Sequence, residues 1–263
     1  MVELEKAEVT QRRTVWIGNL PIGAGRPAVI AGPCAVEPGY VEQATALAGT
    51  GVDALRACVY KPRTRPESFQ GMGTEALPLL AEARQRTGLP LISEVLCPEE
   101  AEQLGEHVDG YQVGARNMQN FRLLEALGEL RRPVILKRGF AATIDEWIGA
   151  SEYLRRRGND AVVLCERGIR TFEPRTRNTL DLSAVVVVKE LTDLPVIVDP
   201  SHAAGQGRWV PALARAALAV GADGLLVEAH PQPAAAWSDA SQAIDLEALA
   251  GLVRSARQGR GTS

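Results

Sequence analysis

The sequence predicts an α/β protein, a (β/α)8 TIM barrel with a short N-terminal β-hairpin. Three observations point there. Eight short apolar runs recur along 263 residues. Nearly all lack polar alternation, as strands buried on both faces do. Helix-like stretches separate them, several ending in glycine, the usual helix terminator. A barrel of this kind takes roughly 250 residues, and a doubly wound open sheet is the competing arrangement.

In chain order, TVWIGNLPIGAG (14–25) reads as two short strands around a turn, placed to plug the bottom of a barrel. The strands are PAVIA from Pro27, DALRACV from Asp53, PLISEV from Pro90, GYQVG from Gly110, PVILKR from Pro133, AVVLCE from Ala161, PVIVDP from Pro195 and GLLVEA from Gly224. Helices are clearest at 75–88, 120–131, 143–158, 210–221 and 246–257. LSAVVVVKEL (182–191) has high strand propensity through its run of valines. It is read as a helix because a parallel crossover must precede the strand at Pro195. No linker interrupts the pattern, so 1–263 is read as one domain, with 1–26 as extension and hairpin and 27–258 as barrel.

Composition narrows the function classes. Lys and Arg number 29 against 32 Asp and Glu, a net charge of −3, which argues against a nucleic-acid partner, since duplex binders carry a basic excess. No apolar run approaches the roughly 18 residues of a membrane span. The opening MVELEKAEVTQRR is not a signal peptide, so a cytoplasmic location is expected. Cys34, Cys58, Cys97 and Cys165 lie far apart, a poor disulfide framework that leaves thiols for chemistry or packing.

In a barrel the chemistry collects at the carboxyl ends of the strands, and the polar residues fall there: GPCAVE, RACVYKPRTR, SEV, GAR, LKRG, CERG, DPSH and VEAH. Arg56, Lys61, Arg63, Arg116, Lys137 and Arg167 come from the second, fourth, fifth and sixth strand ends. That ring of cations suits a polyanion, because arginine offers a fork for phosphate or carboxylate and lysine a point charge. Solvated surface charge is the plainer alternative, weakest for Lys137, which ends the apolar run PVIL. Cys34, His202, Glu228 and Asp239 form a second group. Barrel closure makes the first, seventh and eighth strands neighbours, and one thiolate, one imidazole and two carboxylates suit a divalent transition metal. A thiolate argues against Mg²⁺ or Ca²⁺ and leaves Mn, Co, Fe or Zn. Singly, Cys34 reads as a core thiol, Glu228 as an ion-pair partner and Asp239 as a helix cap; only closure groups them. His230 is expected behind the site and His107 at the surface.

GPC, KPRT, DGYQVGARNMQN, ILKRG, CERGIRTFE, RNTLDLSAV, VDPSHA and ADGLLVEAHP followed by SDASQ together resemble the 3-deoxy-D-arabino-heptulosonate 7-phosphate (DAHP) synthases, in particular the short microbial group that is similar to the octulosonate 8-phosphate synthases. The resemblance runs from about Trp16 to Val253. It implies condensation of phosphoenolpyruvate with erythrose 4-phosphate and water, releasing phosphate, as the first step of the shikimate pathway to aromatic amino acids. It also implies a divalent metal on Cys34, His202, Glu228 and Asp239. Phosphoenolpyruvate is implied to contact Arg56, Lys61, Ala115, Arg116, Lys137 and Arg167, and erythrose 4-phosphate Arg63 and Thr64. Glu94 is implied beside the attacking water, and Lys61, Glu94, Lys137 and His202 make up the catalytic set. A homodimer or homotetramer is implied as well. Many relatives carry a fused regulatory or chorismate mutase domain; residues 1–26 are too few for either, so a separate chorismate mutase partner is the matching expectation.

Two positions depart from the family pattern. The usual Ser after KPRT is Arg65, and the usual Gly-Gly-Ala after Arg56 is Ala57, Cys58 and Val59. Both fall beside the aldose-phosphate site. They keep open a sister synthase that condenses phosphoenolpyruvate with arabinose 5-phosphate or a specialised-pathway acceptor. KPRT speaks against arabinose 5-phosphate, because octulosonate synthases resemble KANRS there.

Overall fold

The computed structural model describes residues 12–63 and 65–258. A hairpin comes first, β1 (Val15–Ile17) and β2 (Leu20–Ile22), paired antiparallel with Val15 opposite Ile22. Then β3 (Ala28–Gly32), β4 (Ala54–Arg56), β5 (Leu91–Glu94), β6 (Gly110–Val113), β7 (Val134–Lys137), β8 (Val162–Glu166), β9 (Val196–Val198) and β10 (Gly224–Glu228) close into a parallel barrel in which β10 pairs with both β9 and β3. The intervening helices are α1 (Tyr40–Ala48), α2 (Leu77–Thr87), α3 (Pro98–Leu104), α4 (Phe121–Leu130), α5 (Ile144–Arg156), α6 (Ser183–Leu191), the short α7 (Pro200–Ala204) and α8 (Val210–Ala219), and α9 (Leu246–Gln258) follows the last strand. Closure excludes the open sheet.

The valine run behaves as a helix for a visible reason. Val185 and Val188 are buried, whereas Val186 and Val187 are 47% and 37% exposed, the spacing of a helix with one face inward. Asp181 starts it by accepting a hydrogen bond from the Ala184 backbone N–H.

Two cores result. Outward-facing strand residues such as Leu55, Tyr111, Leu136 and Leu164 pack under the helices. Inside the barrel, Ile30, Ile92, Ile135, Val163, Ile197 and Leu226 form an apolar layer that the hairpin seals with Val15, Ile17, Leu20 and Ile22. The seal lies at the amino ends of the strands: a side chain at Gly18, the turn glycine with φ +57°, would meet Pro90 just ahead of β5. Strand side chains alternate with a period of two. Two residues beyond four of these inward apolar positions the chain therefore presents a charge, Glu94 after Ile92, Lys137 after Ile135, Asp199 after Ile197 and Glu228 after Leu226. The barrel is dry at one end and charged at the other, and the charged end holds the site.

Candidate active site

At the carboxyl ends of the strands lies a cleft of about 830 Å³, counted with its open mouth, lined by Lys61, Arg63, Arg65, Glu94, Ala115, Arg116, Lys137, Phe140, Arg167, Arg177, His202 and Asp239 among others. The expected cations Lys61, Arg63, Arg116, Lys137 and Arg167 all reach it. Arg56 does not line it. Its side chain is 1% exposed, lies 3.4 Å from Glu228 Oε1 and donates to Cys34 Sγ at 3.0 Å, so it underlies the cleft. Thr64 falls outside the described residues. His230 sits behind the site with Nε2 3.1 Å from Glu37 Oε1, and His107 is half-buried next to β6 at the opposite end of the barrel.

The four expected metal-ligating residues converge. Ligand atoms of Cys34, His202, Glu228 and Asp239 lie within 4.8 Å of one another, with Cys34 Sγ 3.0 Å from Asp239 Oδ2 and 3.8 Å from His202 Nε2. Each arrives by a different route: Cys34 two residues past β3, Glu228 as the last residue of β10, His202 from the first turn of α7, and Asp239 from a loop at positive φ, 51°. A group of one sulfur, one nitrogen and two carboxylates fits a divalent transition metal. The surroundings fit it too. His202 Nδ1 is 2.7 Å from Asp199 Oδ2, the carboxylate–histidine arrangement that turns Nε2 toward a metal.

Asp199, which sequence reasoning passed over, joins the two halves of the site. It is fully buried. Its Oδ2 accepts from Lys137 Nζ at 2.6 Å and from His202 Nδ1, while Oδ1 accepts the His202 backbone N–H at 2.9 Å. Burial would raise its carboxyl, but His202 and Lys137 hold it well below the ordinary range. Burial lowers His202 to about 4, against the opposing pull of Asp199, so the imidazole is neutral at pH 7 with its Nε2 lone pair facing the cluster. Asp239 is likewise held low, because Lys61, 2.8 Å away, outweighs burial. The available signal for Asp199 was the one that singled out Lys137, a charge ending a buried apolar run.

A second unforeseen feature organises the cations. The guanidinium carbons of Arg167, Arg170 and Arg116 lie 4.7, 5.1 and 5.5 Å from the centre of the Phe140 ring. An aromatic face attracts cations without neutralising them, so the Phe140 ring helps to order Arg116 and Arg167 beside the cleft. Burial lowers Arg167 to about 10, still protonated at pH 7. Glu94, 6% exposed, accepts a hydrogen bond from Gln112 Nε2 at 2.9 Å.

A parallel barrel with a cluster of residues able to hold a metal ion beside a cation-lined cleft at its carboxyl rim defines an enzyme for phosphorylated or carboxylated substrates. Comparison with known proteins narrows this. The DAHP synthetase I family model matches residues 5–259, and the chain belongs to that family. It is 48% identical over 240 residues to a phospho-2-dehydro-3-deoxyheptonate aldolase of Thermotoga maritima, covering 90% of this chain and 71% of that one. A 2-dehydro-3-deoxyphosphooctonate aldolase of Rhodopseudomonas palustris is 34% identical over 263 residues, covering 92% and 91%. Among solved structures, the Thermotoga maritima DAHP synthase superposes with a TM-score of 0.89 at 46% identity, over 93% of this chain and 72% of that one. A truncated form of the Thermotoga maritima synthase superposes at 0.85, over 93% and 90%.

Proposed function

We propose that this chain condenses phosphoenolpyruvate with erythrose 4-phosphate and water to give DAHP and phosphate, and that the cleft described above is where it does so. The observation that carries the reading is the Asp199 junction. One buried carboxylate fixes a lysine of the cation group and a histidine of the candidate ligand cluster, so the two halves of the cleft are held at a set spacing.

The residues divide the work. Lys137, Arg116 and Arg167, with Lys61 and the Ala115 backbone, hold the phosphate and carboxylate of phosphoenolpyruvate, and Arg56 supports them from below. Arg63 and Thr64 hold the phosphate of the acceptor. Fixing both reactants turns an encounter in solution into a step within one complex. Carbon 3 of the enol attacks the aldehyde carbon, positive charge develops at carbon 2, water adds there, and phosphate leaves by C–O cleavage. Glu94 is placed to take the proton of that water, and the Gln112 N–H keeps its carboxylate turned inward. Cys34, His202, Glu228 and Asp239 would hold the metal, which would supply Lewis acidity toward the aldehyde oxygen. The thiolate favours Mn, Co, Fe or Zn over Mg or Ca.

The experiment is phosphate release from phosphoenolpyruvate with a panel of aldose phosphates. Erythrose 4-phosphate is expected to give the highest kcat/KM. A higher value with arabinose 5-phosphate would replace this reading with the sister synthase, which the departure from the family pattern at Arg65 keeps open. We place the enzyme in the cytoplasm: no helix among the described residues is long and apolar enough to cross a membrane, and the charge balance is that of an ordinary soluble chain. We also propose a homodimer or homotetramer, which rests on the family resemblance. A separate chorismate mutase as partner rests on the family resemblance.

A further inference from the structure

Asp239 carries more positive charge than one carboxylate can balance. Lys61 Nζ is 2.8 Å away, Arg63 Nη1 3.8 Å from Oδ1 and Arg177 Nη1 3.9 Å from Oδ1, and all three cations line the cleft. Arg177 is engaged a second time. Its Nη1 donates at 2.7 Å to Gln242 Oε1, and Gln242 Nε2 in turn donates to Glu228 Oε2. Gln242 is 1% exposed. Its amide has one workable orientation, since the oxygen must face a guanidinium and the NH₂ a carboxylate. That bond occupies Oε2 of Glu228 and leaves Oε1 facing Arg56 and His202, 3.4 and 4.0 Å away. One half-exposed arginine thus touches one ligand of the cluster directly and a second through a buried amide.

We propose that Arg177 and Gln242 are positioning residues that couple occupancy of the acceptor side of the cleft by a phosphate monoester to metal affinity at Glu228 and Asp239. The inference rests on the reading of the cleft as a site for a phosphorylated acceptor. The sign follows from charge. A phosphate drawn to Arg63 and Arg177 competes with Asp239 for those cations, which frees a carboxylate lone pair for the metal, so monoester and metal bind each other's complexes more tightly. Coupling between two ligands is reciprocal, and partners behind metal ligands typically change affinity by 10- to 100-fold.

The test reads metal affinity, not turnover. Co²⁺ is titrated by equilibrium dialysis at saturating phosphoenolpyruvate, which fills the donor side, with and without methyl phosphate, a monoester that has no aldehyde. In the parent protein methyl phosphate is expected to lower the Co²⁺ Kd about fivefold. Arg177→Lys keeps a cation in the cleft but cannot span to both partners; it should still bind methyl phosphate, with the coupling reduced to less than about twofold. Gln242→Met, similar in length and without the amide, should raise the Co²⁺ Kd by about tenfold and also lose the coupling. A parent Kd indifferent to methyl phosphate would overturn the proposal, as would coupling that survives in Arg177→Lys, a partly exposed site whose variant folds even if Gln242→Met does not. Coupling in a protein that forms no DAHP would leave this inference standing and remove the proposed function.

Discussion

The two sides of the cleft are built differently. Lys137, Glu94 and Asp199 stand on β5 and β7 or one residue past β9, where the sheet fixes the backbone and Asp199 holds Lys137 at 2.6 Å. Arg63 and Arg65 stand on the loop after β4, parts of which are tied to the loop itself: Gln70 Nε2 donates to the carbonyls of Pro66 and Ser68, and Lys61 N–H donates to Gln70 O. Gly71 lets that loop close. It has φ +95°, and a Cβ there would lie 2.1 Å from Val59 O. A site that must always accept one donor can be rigid, whereas a loop can change its acceptor without disturbing the barrel. The donor side should therefore govern the reaction as a whole, and the acceptor side the choice of aldose.

The largest expected effect reaches both sides at once. Chelation should abolish turnover, and Mn²⁺ or Co²⁺ should restore it, with Cys34→Ser raising the metal concentration required. Activity assays paired with elemental analysis check this, and full turnover in verified metal-free protein would sink the metal assignment.

On the donor side alone, Lys137→Ala should reduce kcat/KM by roughly 10²- to 10³-fold, the usual loss when one preorganised charge partner is removed. Asp199→Asn should approach that loss, since it weakens the hold on both Lys137 and His202. Arg116→Ala should lose hundreds-fold. Circular dichroism should show the fold intact, and near-normal kinetics in any of the three would break the contrast drawn here.

Stability against pH offers a third measurement. An unfolded imidazole takes up its proton near 6.5, whereas folded His202 does so at about 4. Between those values the unfolded chain holds the extra proton, so stability rises with pH. The contribution is complete above about pH 6.5 and fades as pH falls toward 4. The Tm of metal-free protein should drop by a few degrees between pH 7 and pH 4.5, and His202→Gln should flatten that slope. Equal slopes in parent and variant would show that His202 is not held neutral by the fold.

The contrast also explains what could be read before the structure. All eight barrel strands, the hairpin and the valine helix were legible, because two-sided burial and the need for a parallel crossover leave signals along the chain. The four candidate metal ligands were legible only through closure, which puts Cys34 and His202 side by side across 168 positions. The layer that supports the site was not. Asp199 sits in DPSH, Gln242 in SDASQ and Phe140 just after LKRG, and nothing local marks them as supports of the site. Their importance lies in a partner far away in sequence, Lys137 for Asp199 and Glu228 for Gln242, and no spacing along the chain encodes that. Arg56 was misplaced on the rim for a related reason: period two shows that a side chain points inward but not how deep it lies.

The smallest effect is expected at Arg65, where the acceptor side is most exposed. The side chain is solvent-exposed at the cleft, and its backbone carbonyl accepts from Gln70 Nε2 and Ser68 N–H. An arginine so placed can meet a phosphate bidentately, but it gives up solvation and rotamer freedom to do so, and exposed ion pairs are worth about 0–1 kcal/mol. Arg65→Ser should accordingly raise KM for erythrose 4-phosphate about two- to fivefold and leave KM for phosphoenolpyruvate unchanged. Longer acceptors separate two modes of action. If Arg65 only adds charge, arabinose 5-phosphate and ribose 5-phosphate weaken in step with erythrose 4-phosphate. If its bulk shortens the cleft, the serine variant accepts them better than the parent does. Since Arg65 lines the wall of the cleft, the second pattern is expected. Michaelis constants and an order of preference identical to those of the parent would show that the loop reads its acceptor without this residue.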